Sequence, residues 1–298
     1  MYQHGWYNIA FQHELAETLT PAVIGDRRLV LARTDEGIRA FNADCPHRGA
    51  HLAYGGRMDK DCIVCPFHGY RIGLGRREQH AFWAEEYPTL LIGDLVFVRL
   101  SESHEYGFSA FMAQLAKDHY VLPGFIMRVN AAASLVTENV FDAQHFRVVH
   151  RLKTGRVTVR SEAGVLITET RMEYPAGNRL QRYNITHVRS DFIGRAFSPG
   201  LVVTQLRSDE LPYTVVTGAT PQPDGHCIIR LSLLLPIEKY GNPPDQEFCD
   251  MLVQANQGGV SDDLLIWEHL SPTAPTQLAP LDRGIWEFQA FCQQFACV

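Results

Sequence analysis

Residues 45–49 read Cys-Pro-His-Arg-Gly, and residues 65–69 read Cys-Pro-Phe-His-Gly. Each segment offers one thiolate and one imidazole on a short loop, and its proline and glycine favour a tight turn. The spacing is therefore C-x-H, a gap of 17 residues, and C-x-x-H. The four candidate metal ligands are Cys45, His47, Cys65 and His68.

Two sulfur and two nitrogen ligands suit a [2Fe–2S] cluster, because two thiolates can hold one iron and two neutral imidazoles the other. A zinc ribbon is the alternative. Cys62 and Cys65 form a C-x-x-C that could join the ligands of the first loop around one ion. The paired C-P-H-R-G and C-P-F-H-G context is more restrictive than any zinc pattern and favours the cluster. His51 and Cys62 are left over, and we interpret both as structural.

A second dense patch, residues 138–150, reads Glu-Asn-Val-Phe-Asp-Ala-Gln-His-Phe-Arg-Val-Val-His. Asp142 and His145 are three residues apart, so on a helix they lie on nearly one face. His145 and His150 are five apart, about 140° around an ideal helix. Both can reach one metal only if the helix distorts or ends near His150. Two imidazoles and one carboxylate on one octahedral face would suit a non-haem Fe(II) with open positions for dioxygen and substrate.

The carboxylate that completes such a site must come from elsewhere in the chain. Asp263, within residues 261–268, is the first candidate and Asp262 the second. The alternative for these acidic residues is ordinary, because aspartates near the start of a helix often cap it or favour its dipole.

Composition limits the class of protein. The chain has 298 residues, 46% of them hydrophobic and 20% charged, with a net charge of −6. This length suggests two domains or one large one, and the composition argues against disorder and fibrous repeats. The sequence has no stripe of basic residues, which argues against a nucleic-acid partner. Its longest apolar runs are too short to span a membrane.

The first six residues lack the basic and apolar segments of a signal peptide, so we expect a cytoplasmic protein. Seven scattered cysteines do not indicate a disulfide framework. Four of them stand alone in the sequence, and we interpret them as plain thiols: Cys227, Cys249, Cys292 and Cys297.

The pattern of apolar residues changes near residue 100. Before it, short strands alternate with Gly, Pro, Asp and Asn, which predicts an all-β domain. After it, helical spacing at 108–116 and 132–149 precedes long strand-like runs up to Pro236, followed by predicted helices at 245–257 and 262–270. The sequence therefore predicts an α+β protein with domains at 1–105 and 106–298.

Together the two patches, in this order, resemble the catalytic α-subunits of Rieske non-haem iron oxygenases. The resemblance runs from residue 5 to residue 88 and returns at 139–150 and 262–268. It implies an N-terminal all-β Rieske domain and a helix-grip catalytic domain, in which an antiparallel sheet and helices enclose the iron. In that family the [2Fe–2S] ligands correspond to Cys45, His47, Cys65 and His68, the mononuclear Fe(II) ligands to His145, His150 and Asp263, the bridging carboxylate to Asp142, and its polar neighbour to Asn139.

The resemblance also implies an activity. A short chain is similar to the compact homotrimeric members, which hydroxylate or oxidatively demethylate small apolar or aromatic molecules with O₂. Electrons would come from a separate NAD(P)H-dependent reductase, with or without a ferredoxin. In such a trimer His68 would face Asp142 of the next chain, and Asp142 would hydrogen-bond an iron-ligating histidine.

Two other activities remain open at this point. One is ring cis-dihydroxylation by a dioxygenase of the same family. The other is electron transfer by a Rieske protein without oxygenase activity, which resembles only the first 100 residues. Phe192, Phe197, Tyr213 and Trp267 are candidates for an apolar pocket, although aromatic residues on strands more often belong to the core.

Overall fold

The computed structural model describes residues 4–16, 18–75, 80–271 and 277–296. Two of the predictions above concern residues outside this part: the thiol of Cys297 and the character of the first three residues. The predicted α+β fold is confirmed: β-sheets occupy the first third of the chain, and a large sheet with helices follows. Within the described residues, we find no helix with the length and apolar character needed to cross a membrane.

The N-terminal region contains three small sheets. Their orders are β1-β11-β10, β2-β3-β4-β9 and β5-β6-β7-β8, and all pairs are antiparallel except β7 with β8. The strands are β1 Trp6–Phe11, β2 Leu19–Ile24, β3 Arg27–Thr34, β4 Gly37–Asn42, β5 Arg57–Asp59, β6 Cys62–Val64, β7 Arg71–Leu74, β8 Phe82–Ala84, β9 Glu86–Tyr87, β10 Thr89–Ile92 and β11 Leu95–Arg99. The third sheet carries the two Cys/His loops, one entering β5 and one joining β6 to β7.

The C-terminal region is built on an eight-stranded antiparallel sheet, in which hairpins connect most neighbouring strands. Its order is β12-β19-β18-β17-β16-β15-β13, with β14 also paired to β15. The strands are β12 His119–Val129, β13 Lys153–Thr154, β14 Thr158–Glu162, β15 Val165–Pro175, β16 His187–Ser198, β17 Leu201–Arg207, β18 Tyr213–Pro221 and β19 Cys227–Pro236. The helices are α1 Phe108–Leu115, α2 Ala133–Glu138, α3 Ala143–Val148, α4 Asn178–Gln181, α5 Ile237–Tyr240, α6 Gln246–Trp267 and α7 Arg283–Gln293.

The long helix α6 packs against the sheet. Its buried residues Phe248, Leu252 and Trp267 share one core with β12, β18 and β19. We predicted two helices here, at 245–257 and 262–270, and that division is wrong. The helix continues through Gly258 and Gly259, although each glycine costs about 1 kcal/mol in a helix. Buried side chains at both ends anchor α6, so packing outweighs the local preference.

The N-terminal region is fastened to the large sheet. Trp6, Phe97 and Phe108 lie in one core with residues of β15, β16, β17 and β18. The carboxylate of Glu14 accepts two hydrogen bonds from the buried guanidinium of Arg230 on β19, at 2.7 and 2.8 Å. The hydroxyls of Ser198 and Thr220 donate to backbone carbonyls of β1. The two regions are therefore joined by apolar and polar contacts, and the boundary at residues 105 and 106 stays a prediction.

Candidate metal centres and active site

The two Cys/His loops have the same backbone design. The N–H of Gly49 donates to the carbonyl of Cys45 at 2.8 Å, and the N–H of Gly69 donates to that of Cys65 at 3.0 Å. Both glycines have φ near +72°, at 73° and 72°, a conformation that a side chain disfavours. The sequence C-P-x-x-G therefore encodes a turn that holds the cysteine and the histidine of each loop at one end of the sheet.

The four predicted ligands come together as two pairs. The thiol of Cys45 lies beside that of Cys65, and the rings of His47 and His68 meet at 4.8 Å between centroids. Burial, and then the neighbouring thiol of Cys65, raise the pKa of Cys45. The cysteines are buried, whereas His68 is exposed. This arrangement has one sulfur end and one nitrogen end, as the two irons of a [2Fe–2S] cluster require.

A single zinc ion fits these loops less well. In the described part of the chain, the groups of Cys, His and acidic side chains that converge on one point are Asp61-Cys62-His80 and His145-His150-Asp263. The four loop ligands form neither group. Cys62, which the zinc-ribbon alternative would use together with Cys65, contacts Asp61 and His80 instead.

The second patch is not one continuous helix, as the spacing at 132–149 had suggested. The chain forms α2, a 3₁₀ turn at Asn139–Phe141 and then α3, with Asp142 between them in an extended conformation. The Oδ1 atom of Asp142 accepts from the backbone N–H groups of Gln144 and His145, at 2.9 and 3.0 Å. Asp142 is therefore the N-cap of α3. The resemblance implied that Asp142 bonds the ring of a histidine. Among the described residues, Asp142 instead bonds the backbone of His145.

This break brings the predicted iron ligands together. The Nε2 atoms of His145 and His150 lie 2.9 Å apart, because α3 ends at Val148 and His150 follows outside the helix. The Oδ1 atom of Asp263 on α6 lies 3.2 Å from the Nε2 of His145 and 3.5 Å from that of His150. The two imidazoles and the carboxylate thus converge on one point, and this set of donors suits Fe(II).

Asp263 fits a metal ligand by burial as well as by distance. Its side chain is 8% exposed, and its Oδ1 atom is buried without an acceptable hydrogen bond. Although burial alone raises the pKa of Asp263, the two histidines outweigh it and hold that pKa below the ordinary value. A buried, ionised carboxylate whose hydrogen bonds have poor geometry is costly, and a bound cation would remove that cost. Asp262, the second candidate, is exposed.

Asn139 lies beside two of these ligands. Its amide nitrogen is 3.2 Å from the Oδ2 of Asp263, to which it donates, and 3.3 Å from the Nε2 of His145. The amide therefore fixes the carboxylate and leaves Oδ1 facing the histidines.

A small pocket of ≈ 170 Å³ opens at this centre. Apolar side chains and the polar groups of the site share its wall, which consists of Leu135, Glu138, Asn139, Asp142, His145, Asp263, Ile266, Trp267 and Leu270. Of the four aromatic residues considered above, Trp267 lines this pocket. Phe197 packs in the core with Phe108 and Phe111, and Tyr213 lines a separate cavity of ≈ 990 Å³ over the sheet.

The sequence did not single out Glu138, which also lines the pocket. Burial raises the pKa of Glu138 to about 6, although Gln289 of α7 donates a hydrogen bond to its Oε2 atom at 3.1 Å. Helix α7 was missed too. The apolar residues Ile285, Phe288 and Phe291 have helical spacing and would have predicted it.

Family models match both parts of the chain. The Rieske [2Fe-2S] domain matches residues 5–81, and the 3-ketosteroid 9alpha-hydroxylase C-terminal domain matches residues 99–295. The chain belongs to the Rieske non-haem iron oxygenases. The four candidate cluster ligands lie within the first match and the candidate iron triad within the second.

Known Rieske oxygenases align at low identity. Cholesterol 7-desaturase nvd of Xenopus laevis is 28% identical over 173 residues, which cover 50% of this chain and 36% of that protein. Aminopyrrolnitrin oxygenase PrnD of Pseudomonas fluorescens is 23% identical over 334 residues, covering 96% of this chain and 89% of that protein. The match spans little more than a third of the first curated relatives.

Solved structures of Rieske oxygenases share the whole fold. Dicamba monooxygenase bound to dicamba superposes with a TM-score of 0.72 at 18% identity, covering 98% of this chain and 97% of that chain. NdmA of Pseudomonas putida CBB5 with caffeine gives 0.71 at 15% identity, covering 98% and 90%. At these identities the likeness establishes the architecture of the Rieske sheets and the catalytic sheet.

Proposed function

We propose that this chain is the terminal oxygenase component of an O₂-dependent system that hydroxylates or oxidatively demethylates a small, largely apolar or aromatic molecule. One observation supports this above all: the chain combines a Cys₂His₂ loop pair with a triad of the half-buried His145 and His150 and the buried Asp263. An electron carrier would use the first site and leave the second without a purpose.

The residues have distinct tasks in this proposal. Cys45, His47, Cys65 and His68 would hold a cluster able to supply electrons, and His145, His150 and Asp263 would hold an iron able to activate O₂. Three protein ligands would leave coordination positions of that iron open. Leu135, Ile266 and Trp267 form part of the pocket wall, and a substrate bound against them would displace water that could otherwise solvate the reacting groups.

The substrate class is supported by the pocket and by the relatives. Four apolar side chains, Leu135, Ile266, Trp267 and Leu270, share the pocket wall with five polar ones, and this apolar part suits a small hydrophobic molecule. Matched proteins include chloroacetanilide N-alkylformylase of Rhizorhabdus wittichii, and the matched structures contain dicamba or caffeine. Transfer of one oxygen atom, with the other reduced to water, therefore remains our first choice over dihydroxylation of a ring.

We also propose a separate NAD(P)H-dependent reductase, with or without a ferredoxin, as the source of electrons. The sequence contains no evident G-x-G-x-x-G loop for a dinucleotide. Our proposed location is the cytoplasm, where unpaired thiols are usual. All six cysteines in the described part of the chain are unpaired.

A head-to-tail trimer is supported by two exposed apolar surfaces. The first, which we call the cluster tip, consists of the exposed rings of Tyr54, Phe67 and Tyr70. Phe67 and Tyr70 lie next to His68, and Phe67 is 58% exposed. The second, the iron-side patch, consists of Val148, Leu265, Ile266 and Leu270, with Leu265 72% exposed. Exposed apolar patches mark interaction sites. In the proposed trimer the cluster tip covers the iron-side patch of the next chain, and His68 faces Asp142 of the partner subunit.

The test is the content of iron and acid-labile sulfide per purified chain, followed by uptake of O₂ with a reductase and candidate aromatic or N-methyl substrates. We expect about three irons and about two sulfides, because a cluster holds two irons and the triad one. Substrate should accelerate O₂ uptake, with ¹⁸O from ¹⁸O₂ in the product of hydroxylation. About two irons without O₂ uptake would favour the electron carrier, and zinc without sulfide would contradict both.

A further inference from the structure

A second group of metal-ligating side chains lies in the N-terminal region, outside both centres described above. We propose that Asp61, Cys62 and His80 bind a zinc-class divalent cation. The site is formed by the turn that enters β6 and by the segment before β8. It is a three-ligand site with one open coordination position.

The distances between the ligand atoms support this site. The Sγ of Cys62 lies 3.6 Å from the Nε2 of His80 and 3.6 Å from the Oδ1 of Asp61. The Nε2 of His80 lies 3.3 Å from the Oδ2 of Asp61. Zinc bonds of about 2.3 Å to sulfur and about 2.0 Å to nitrogen or oxygen place tetrahedral ligands about 3.3–3.6 Å apart. One ligand atom from each of the three residues lies within 4.8 Å of the other two, so small side-chain shifts would bring them to the spacing of zinc ligands.

The surrounding backbone is shaped to admit the histidine. Gly73 on β7 pairs with Cys62 on β6, and a Cβ atom at Gly73 would lie 2.5 Å from the ring of His80. A side chain at this position would therefore exclude the ring. Cys62 is fully buried, whereas the Asp61 carboxylate is 33% exposed, which leaves a path for an ion on the carboxylate side.

The donor chemistry selects a particular class of ion. One thiolate, one imidazole and one carboxylate suit Zn²⁺ and similar borderline cations rather than Mg²⁺ or Ca²⁺, which prefer oxygen ligands. Thiolate and carboxylate together offset the charge of the dication.

This site differs from the cluster site on the same strand. Cys62 begins β6, and Cys65 follows its end. Side chains three positions apart on an extended strand point to opposite faces. An ion at Cys62 would tie the segment of His80 to the β6–β7 hairpin, whose loop presents Cys65 and His68. We infer that the ion is a structural support for that loop.

The test uses the holoprotein with about two sulfides per chain. It is equilibrated with a slight excess of Zn²⁺, desalted, and examined by elemental analysis and zinc K-edge X-ray absorption. The background is His145→Ala, which removes the iron triad as a competing zinc site. We expect about one zinc per chain with one sulfur neighbour at about 2.3 Å. Zinc trapped in empty cluster loops would show two sulfur neighbours instead.

Two variants complete the test. Cys62→Ser and His80→Gln should each lose the sulfur-ligated zinc while iron and sulfide remain at the level of the parent. If Cys62→Ser does not fold, His80→Gln alone tests the loss of the zinc signal. The zinc spectrum of the parent protein is measured without either variant. Absence of a zinc–sulfur signal in the parent, or its persistence in both variants, would overturn the proposal and leave a thiol–imidazole contact only.

Discussion

The Nε2 atoms of His145 and His150 lie 2.9 Å apart, although residues five apart on a continuous helix face directions about 140° apart. The early end of α3 at Val148 resolves this conflict, because His150 lies beyond the helix and can turn back. Asp142 contributes by interrupting the preceding helix and starting α3. Two interruptions of the helix therefore create one metal face.

Replacement of Asp263 tests the third ligand. Asp263→Ala should reduce iron from about three to about two per chain and leave sulfide and the spectrum of the cluster unchanged. The matched control is Asp262→Ala, the exposed neighbour on the same helix, which should retain all the iron. Loss of iron in the control with retention in Asp263→Ala would assign the ligand to Asp262.

Asp142 can be tested with two substitutions that separate its two tasks. Asn retains a side-chain oxygen for the backbone N–H groups of Gln144 and His145, so Asp142→Asn should fold and bind both metals. Turnover should fall about 100-fold, because the carboxylate that the proposed trimer places between the two centres is lost. Asp142→Ala should in addition lower the free energy of unfolding by about 1 kcal/mol through loss of the cap. Wild-type turnover in Asp142→Asn would rule out the bridging role.

The ion pair of Glu14 and Arg230 gives a prediction about pH. Burial opposes ionisation of Glu14, but hydrogen bonds and the charge of Arg230 outweigh it and hold the pKa of Glu14 below its ordinary value of 4.5. The pair therefore stabilises the fold above pH 4.5, and this contribution is lost as the pH falls through the lowered pKa.

Glu14→Gln should accordingly lower the free energy of unfolding at pH 7 by on the order of 2 kcal/mol, since it leaves the buried Arg230 without a counter-charge. The difference from wild type should shrink below pH 4.5, as measured by denaturant unfolding at several pH values. Glu36→Gln, in an exposed pair with Arg39, is the control and should change stability little at any pH. A pH-independent difference for Glu14→Gln would show that the charge is not its cause.

The proposed trimer predicts that the cluster tip is sensitive to polar substitution. Phe67→Ser should shift the protein toward monomers in sedimentation velocity and slow turnover in proportion, while iron and sulfide stay constant. Leu91→Ser is the control, because Leu91 is exposed on β10, outside both apolar surfaces. Equal sedimentation of Phe67→Ser and wild type at low protein concentration would remove the cluster tip from the interface.

The cluster loops were predictable from sequence because their design is local. Each cysteine, histidine and glycine lies within five residues, and the turn hydrogen bonds stay inside the loop. The triad was predictable only in part. For His145 and His150 to reach one metal, the helix had to distort or end between them, and the sequence predicted this. The extended backbone at Asp142 could not be predicted, because the apolar residues at 132–149 have helical spacing.

Other features depended on contacts between distant parts of the chain. The continuity of α6 through Gly258 and Gly259 is decided by packing of its ends on the sheet. The group of Asp61 and Cys62 with His80 requires the pairing of β6 with β7 and the glycine between them. Such positions have no local signature, so from the sequence we interpreted Cys62 as structural, with a zinc ribbon shared with Cys65 as the alternative.

The contacts between β1 and the catalytic sheet have a consequence for recombination. The hydroxyls of Ser198 and Thr220 bond the backbone of β1, and Arg230 bonds Glu14. In a chimaera, residues 1–105 would be replaced by those of another oxygenase. The bonds to the β1 backbone would persist, but Arg230 would have a counter-charge only if the other oxygenase has an acidic residue at the position of Glu14. Exchange of the two regions between oxygenases should therefore lower stability unless the acid at the position of Glu14 and the base at the position of Arg230 are exchanged together.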